Sequence, residues 1–307
     1  DQDRAAWAAL YWEGALGPAG FARLIARFGS ARVALSASED DLSTPSLHLR
    51  RGQPQLIRLS AARHVEDVAR QIEELETAGI AVICSFEAHY PAMLRTASNP
   101  PPVICMRGNV AAEDDPALAI VGTRSPTPEG EANARDIARA CAERGVTIVS
   151  GLALGVDTAA HRGALEAGAR TIAILGSGIR HVHPTRNRRL AERIVACGAL
   201  ISESPPDANP SAARLMARNR LIAAMARGVL AVESLADGGT LQTVRDGVSL
   251  SRLLFACDWQ ADKPQADGTR TALGMGGEPV LGPDAADFVV QAIRDHRLRG
   301  PDQPSLL

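Results

Sequence analysis

The sequence predicts a doubly wound α/β fold, with a parallel sheet covered by helices on both faces and a small all-helical domain in front of it. Two observations carry this. From Ala117 onward, short strand-like runs alternate with helical stretches. Those runs are apolar on both faces instead of alternating polar and apolar, as strands buried on two sides must be.

The elements follow in order. In "AAWAALYWEGALGPAGFARLIARFGSARVAL" the helical spacing is broken at "GALGPAG" and "FGS", which predicts a helix, a tight turn and further helix. "SASEDDLSTPSLHLRRGQPQ" is polar and proline-bearing and reads as a loop. "AARHVEDVARQIEELETAG" reads as a charged amphipathic helix ending at Gly79. These elements form a helical domain over 1–75. The strand "IAVICSF" and the proline-rich "HYPAMLRTASNPPPVICMRGN" open a second domain, 78–295.

In that domain "LAIVG", "VTIVSG", "RTIAILGSG", "ALISE", "VLAVES" and "RLLFAC" read as strands. The helices between them are "EGEANARDIARACAERG", "VDTAAHRGALEAG", "TRNRRLAERIVACG", "SAARLMARNRLIAAMARG" and "TLQTVRDGVSL". Gly145, Gly168, Gly198 and Gly228 stand where left-handed helix caps belong. Residues 296–307 read as a flexible tail.

Composition narrows the function classes. The chain has 307 residues, 46% hydrophobic and 22% charged, which suits a soluble globular protein. No run of about 18 uncharged apolar residues predicts a membrane span. "DQDRAAWAAL" lacks a secretory pattern, so the expected location is cytoplasmic. Cys84, Cys105, Cys141, Cys197 and Cys257 are scattered with no CxxC pair, so they read as core residues, with no metal site. A net charge of −2 argues against a globally basic protein but allows a local basic patch. Lys263 is the only lysine, so nearly every cation is an arginine.

In open parallel sheets, ligands bind beyond the carboxyl ends of the strands. Here those ends carry "GTRSPT", "SGLALG", "GSGIRHVHP", "SESPPDANP" and "ESLADGGT". Together they predict a broad polar surface lined by backbone, able to hold phosphate through N–H groups. No complete dinucleotide fingerprint and no Walker A loop is present, so no cofactor is expected.

Arginines concentrate at the same edge. Between 180 and 220 there are eight, Arg180, Arg186, Arg188, Arg189, Arg193, Arg214, Arg218 and Arg220, against Glu192, Glu203 and Asp207. Arg124 lies in the first loop. The cluster points to a polyanion, whose binding would be strongly salt-dependent. Aromatics are only 3% of the chain, so Phe86, Tyr90 and Trp259 supply a stacking platform weakly and are expected to be buried.

Asp157 and His161 are one helical turn apart. A carboxylate can orient an imidazole as a general base. No GxSxG elbow accompanies them, and holding the loop after "VTIVSG" is the simpler role.

The motifs "IVGTRSPTPEG", "IVSGLALGVDTAAHRGAL", "TIAILGSGIRHVHPTRNRRL", "ISESPP" and "ARNRLIAAMARGVLAVES", in this order, closely resemble the DNA-processing protein A (DprA/Smf) family. The resemblance covers the chain from about Trp7 to about Val290. It implies a Rossmann-like core behind a sterile-alpha-motif-like or helix-hairpin domain. It implies a non-enzymatic, single-stranded DNA-binding recombination mediator that loads a RecA-type recombinase during natural transformation. The partners it implies are single-stranded DNA, the recombinase, a single-strand-binding protein and a second copy of the chain, with no membrane. The phosphate-binding set is then Gly122, Thr123, Arg124 and Ser125; Ser150, Gly151, Leu152 and Ala153; Gly176, Ser177 and Gly178; Arg186 and Asn187; Arg218, Asn219 and Arg220; and Gly238, Gly239 and Thr240. Asp157, His161, Glu203 and Glu233 are assigned to loop support, and no residue to catalysis.

Four features depart from the family pattern, one of them "LLFACDWQ", which stands where the family has an apolar strand ending in Pro-Gly. Leu154 stands where a lysine is common. Leu215-Met216 replaces Phe-Pro before the Arg-Asn-Arg element. "DGGTLQTV" is only approximate. The alternative is a nucleotide-binding or nucleotide-hydrolysing enzyme related to lysine-decarboxylase-like phosphoribohydrolases. Those use a PGG-GT loop followed by a Glu; here Gln242 and Thr243 follow the glycines and the acid is missing.

Overall fold

The computed structural model describes residues 2–14, 16–63, 65–260 and 264–296, with backbone alone at 2 and 59–63. The chain divides into two compact units. The first comprises residues 1–90, 99–106 and 203–205; the second comprises 91–98, 107–202 and 206–307.

The first unit holds α1 (Gln2–Trp12), α2 (Pro18–Phe28), α3 (Ala31–Ser36), α4 (Glu39–Leu42), α5 (Gln53–Arg63) and α6 (Val65–Thr77), then β1 (Ile80–Cys84) and most of β2 (Val103–Gly108). Apolar residues at helical spacing build its core: Phe21 and Leu24 from α2, and Val68, Ile72 and Leu75 from α6. Pro18 starts α2, where its missing N–H costs nothing, and Gly29 ends it with φ 78°. α4 lies inside the stretch expected to be a loop. It forms because Ser38 and Asp41 close a capping box, the Asp41 N–H donating to Ser38 Oγ at 3.1 Å. Tyr90 is buried, its hydroxyl donating to the Pro101 carbonyl at 2.9 Å. Phe86, against expectation, is 53% exposed and meets Trp7 edge-on at 4.8 Å.

In the second unit, a short α7 (Ala92–Arg95) is followed by the predicted alternation: β3 (Ala117–Val121), α8 (Pro128–Glu143), β4 (Thr147–Ser150), α9 (Val156–Glu166), β5 (Thr171–Ile174), α10 (Arg188–Cys197) and β6 (Ala199–Ser202). Next come α11 (Ala212–Ala224), β7 (Gly228–Ala231), α12 (Gly239–Ser249), β8 (Leu253–Cys257), α13 (Asp267–Gly274), β9 (Glu278–Val280) and α14 (Ala286–Asp295). The strands stand in the order β6-β5-β4-β3-β7-β8-β9, all parallel. Ala119 pairs with Val149 on one side and Val229 on the other.

Every residue of β3, β4, β5, β6 and β7 is buried, which is why their sequences are continuous apolar runs. One layer of core joins Leu118, Ile120, Ile148, Leu230 and Phe255 of the sheet to Ile137, Ala160, Val289 and Ile293 of the helices. Each large side chain so buried stabilises the unit by about 1.5–3 kcal/mol.

Two of the four expected glycine caps are realised: Gly145 and Gly168 have φ of 80° and 66°. Gly198 does not, at φ −164°; it is glycine because a Cβ would strike the Thr171 carbonyl of the neighbouring strand. Gly228 is the first residue of β7.

The chain winds outward from β3 to β6, returns to the other side of β3, and winds outward again from β7 to β9. The two halves diverge at β3 and β7, and there the strand tips open a crevice.

Candidate nucleic-acid interface

The crevice is a cavity of about 290 Å³. The β3 tip supplies Val121, Gly122, Thr123 and Arg124, the loop after β4 supplies Ala153, and α9 supplies Asp157. The loop after β7 and the first turn of α12 supply Ser234, Leu235, Gly238, Gly239 and Thr240. α11 closes the remaining side with Leu215, Met216, Arg218, Asn219 and Ile222. The first turn of α12 brings the positive end of a helix dipole to the cavity, and Arg124 stands exposed at the rim.

The β3 loop is held from across the switch point. Its Thr123 N–H donates to the Glu233 carbonyl at 2.6 Å. The Glu233 side chain, fully buried, accepts from the Thr127 N–H at 2.8 Å and from the Thr127 hydroxyl at 2.7 Å. Thr127 caps α8, whose Gly130 leaves the room that the Glu233 carboxylate fills. A Cβ on Gly122 would lie 2.5 Å from Val156 Cγ2, so β3 and α9 meet without space for a side chain.

The β4 loop is built around Asp157. Its Oδ2 accepts from the N–H groups of Gly151 and Ala153, each at 3.2 Å. Burial raises the Asp157 pKa, while the Arg218 charge and those N–H groups pull it down. Leu152 takes the left-handed conformation, φ 61°. Asn187 pins the loop from the start of α10, its Nδ2 donating to the Leu152 carbonyl and to Thr158 Oγ1, both at 2.8 Å. Ser150 Oγ donates to the Ile120 carbonyl at 2.6 Å and so lies within the sheet.

Arg218 is 4% exposed. Its Nη1 donates to the Gly151 carbonyl at 2.6 Å and to the Ile174 carbonyl, and its Nε donates to Asn219 Oδ1 at 3.1 Å. Burial drives its pKa down to about 10. Asn219 passes the network on, its Nδ2 donating to the Gly239 carbonyl at 3.0 Å. Arg218 and Asn219 therefore join the tips of β4 and β5 to the start of α12 and form part of the cavity wall.

His161 is fully buried, one turn beyond Asp157, and is not paired with it. Thr171 Oγ1 gives its single proton to the Ile148 carbonyl at 2.7 Å. It must therefore accept from His161, so Nδ1, at 2.7 Å, carries the proton. Nε2 is then an unprotonated nitrogen with no hydrogen-bond partner among the described residues. Burial first, and the nearby Arg218 charge second, push the His161 pKa down to about 3.

Several predicted residues fall outside the cavity lining. The Ser177 hydroxyl donates to the His181 carbonyl at 2.6 Å, and the Gly178 N–H to Ala208 at 2.7 Å. A Cβ on Gly176 would lie 2.6 Å from Leu215 Cδ2, so α11 packs directly on that loop. Arg186 is exposed beside the β4 loop, and Ser125 is exposed two residues beyond Thr123. Arg220 donates from Nη1 to the Ala217 carbonyl at 2.9 Å. Burial raises the pKa of Asp246 on α12, and the Gln242 hydrogen bond and the Arg220 charge only partly offset that rise. Glu203 belongs to the first unit and accepts from the Tyr11 hydroxyl at 3.4 Å. Trp259 donates from Nε1 to the Val232 carbonyl at 2.6 Å.

The site residues read from the sequence leave out the apolar part of the wall, Leu215, Met216, Ile222 and Leu235, of which Leu215-Met216 stood out only as a departure from the family pattern. The available signal was register, since Leu215 and Ile222 flank Arg218 and Asn219 by one helical turn. Among the described residues no cluster of three or more His, Cys, Asp or Glu could hold a metal ion, and no helix is long and apolar enough to cross a membrane.

The family model for DNA recombination-mediator protein A matches residues 81–291. The chain is 37% identical over 196 residues to protein Smf of Synechocystis, covering 62% of this chain and 49% of the relative. It is 30% identical to DNA processing protein DprA of Bacillus subtilis, covering 66% of this chain and 68% of the relative. The chain spans about half the length of the Synechocystis and Escherichia coli Smf proteins it matches. The structure of DprA from Streptococcus pneumoniae superposes over 94% of this chain and 96% of its own, with a TM-score of 0.78 and 23% identity. That of DprA from Helicobacter pylori superposes over 71% of this chain and 97% of its own, with a TM-score of 0.62 and 26% identity. The β3 and β4 loops and the Arg218-Asn219 pair of α11 that line the crevice belong to motifs that resemble the DprA/Smf pattern, and the chain belongs to the DNA recombination-mediator protein A family.

Proposed function

We propose that the crevice binds single-stranded DNA and that the chain acts as a recombination mediator, passing the strand to a RecA-type recombinase in the cytoplasm during transformation or related DNA processing. A homodimer and a single-strand-binding protein belong to the same proposal. The observation that carries it is the convergence at the switch point of Arg124, the positive end of α12 and backbone-lined loops around one cavity. A phosphate fits the rim, and the apolar wall of Leu215, Met216 and Leu235 accepts the less polar part of a nucleotide. The Helicobacter pylori relative has a described single-stranded DNA binding mode, which supports the choice of ligand.

The reading assigns no catalytic turnover. Asp157, the carboxylate in the cavity lining, is committed to the Gly151 and Ala153 N–H groups. His161 lies buried with its Nδ1 proton held by Thr171.

The test is fluorescence anisotropy of labelled single and double strands across a salt series. Single strands should bind more tightly, with log K falling linearly in log salt. Arg124→Ala should weaken binding about tenfold and lower the slope by about 0.7. Unchanged binding at moderate salt would sink the site assignment. Base release from nucleoside monophosphates would instead favour the phosphoribohydrolase-like alternative.

A further inference from the structure

α10 and the turn before it carry four arginines that the cavity does not use: Arg186, Arg188, Arg189 and Arg193. All four are exposed, and among the described residues none makes an ion pair with a carboxylate. The one acid on the helix, Glu192, is taken by a two-pronged bond from Arg107, at 2.9 and 2.8 Å. Arg180, on the preceding loop, contrasts with them; it is paired with Asp207 at 3.2 Å.

Packing fixes which way the arginines face. Leu190, Ala191 and Ile194 are the buried side of α10. Arg189 and Arg193 therefore lie one turn apart on the open side, with Arg186 at their head. Cations in a first helical turn oppose the helix dipole, so Arg188 and Arg189 gain nothing from it there.

The head of this stripe is tied to the cavity. Asn187, next to Arg186, donates to the carbonyls of Leu152 at 2.8 Å and Ala153 at 3.4 Å, and Ala153 lines the cavity. The stripe thus starts at the cavity wall and leads away from it by about 5 Å per turn.

We propose that Arg186, Arg189 and Arg193 form a second phosphate track, which receives a single strand where it leaves the cavity and makes binding depend on strand length. This rests on the single-stranded DNA reading of the cavity. A short strand occupies the cavity alone, whereas a longer one also neutralises the stripe.

The experiment compares labelled oligothymidylates of about five and about twenty nucleotides, a range that brackets common single-strand site sizes. The parent chain, Arg189→Gln/Arg193→Gln and Arg124→Ala are measured across a salt series. The double variant should bind the long strand about tenfold more weakly, with a salt slope lower by about 1.4, one 0.7 increment per phosphate. Its affinity for the short strand, and its melting temperature, should match the parent. Unchanged long-strand binding, or equal losses on both strands, overturns the track while leaving the cavity reading intact. If the parent binds neither strand, or Arg124→Ala binds the short strand unchanged, the cavity reading itself fails and the track falls with it.

Discussion

The guanidinium of Arg218 occupies the space that a side chain on Gly151 would need, its Nη1 donating to the Gly151 carbonyl at 2.6 Å. The glycine of the β4 loop is thus explained by an arginine of the same chain, and Asp157 and Arg218 share one buried network. Removing the cation leaves Asp157 in the interior without its counter-charge. Arg218→Met is expected to destabilise the second unit by about 3–5 kcal/mol. In a thermal melt that corresponds to roughly 10 °C. Adding Asp157→Asn to the same chain should recover part of the loss, and a double-mutant cycle showing simple additivity would contradict the coupling.

The acid limb of the stability profile should depend on His161. Its folded pKa, about 3, lies below the ordinary 6.5. Between those values the unfolded chain holds a proton that the folded chain does not, so stability rises with pH and is lost as pH falls through that window. At about 1.4 kcal/mol per unit, the contribution is on the order of 4–5 kcal/mol. Asp157 acts in the opposite sense, because burial raises its pKa and the folded chain takes up that proton first. Denaturant midpoints of His161→Asn should change less between pH 6.5 and 3 than those of the parent. Equal slopes would show that His161 is not the titrating group.

Glu233 should matter through the cap it completes. Glu233→Gln can accept only one of the two Thr127 hydrogen bonds and turns its amide donors toward the other. A loss of about 1–3 kcal/mol is expected in a urea titration. Gly130→Ala should be destabilising for the same reason from the opposite side, since its methyl group would press on the carboxylate. A neutral Gly130→Ala would show that the loop after β7 can move away from the first turn of α8 freely.

Leu154 is 37% exposed in the loop that Asp157 and Asn187 shape. Leu154→Lys should raise single-strand affinity several-fold at low salt and steepen the salt slope by about 0.7. If neither changes, the strand does not pass that loop.

The alternation of strands and helices was legible because burial on two faces writes each strand as an unbroken apolar run, as in Ala117–Val121 and Gly228–Ala231. The glycine-rich tips were legible for a similar reason, since close backbone approach leaves no other residue type. The inward turn of Arg218 was not. Its acceptors are the carbonyls of Gly151 and Ile174, 67 and 44 residues away, and a carbonyl leaves no mark in a sequence. Leu215 and Met216 showed in the sequence only as a departure from the family pattern, since nothing local marks them as the wall of a cavity. β9 escaped because three residues, Glu278 to Val280, are too few to show a period.

The seam between β3 and β7 has a consequence for synthesis. Thr127 and Glu233, which lock it, are 106 residues apart in sequence, and α12 follows later still. A chain emerging from the ribosome can complete β3 through β6 with β3 as a bare edge, but it has only one wall of the crevice. The crevice is therefore complete only once the chain has been made through α12, and a product ended before Gly239 would fold in part yet display no complete site.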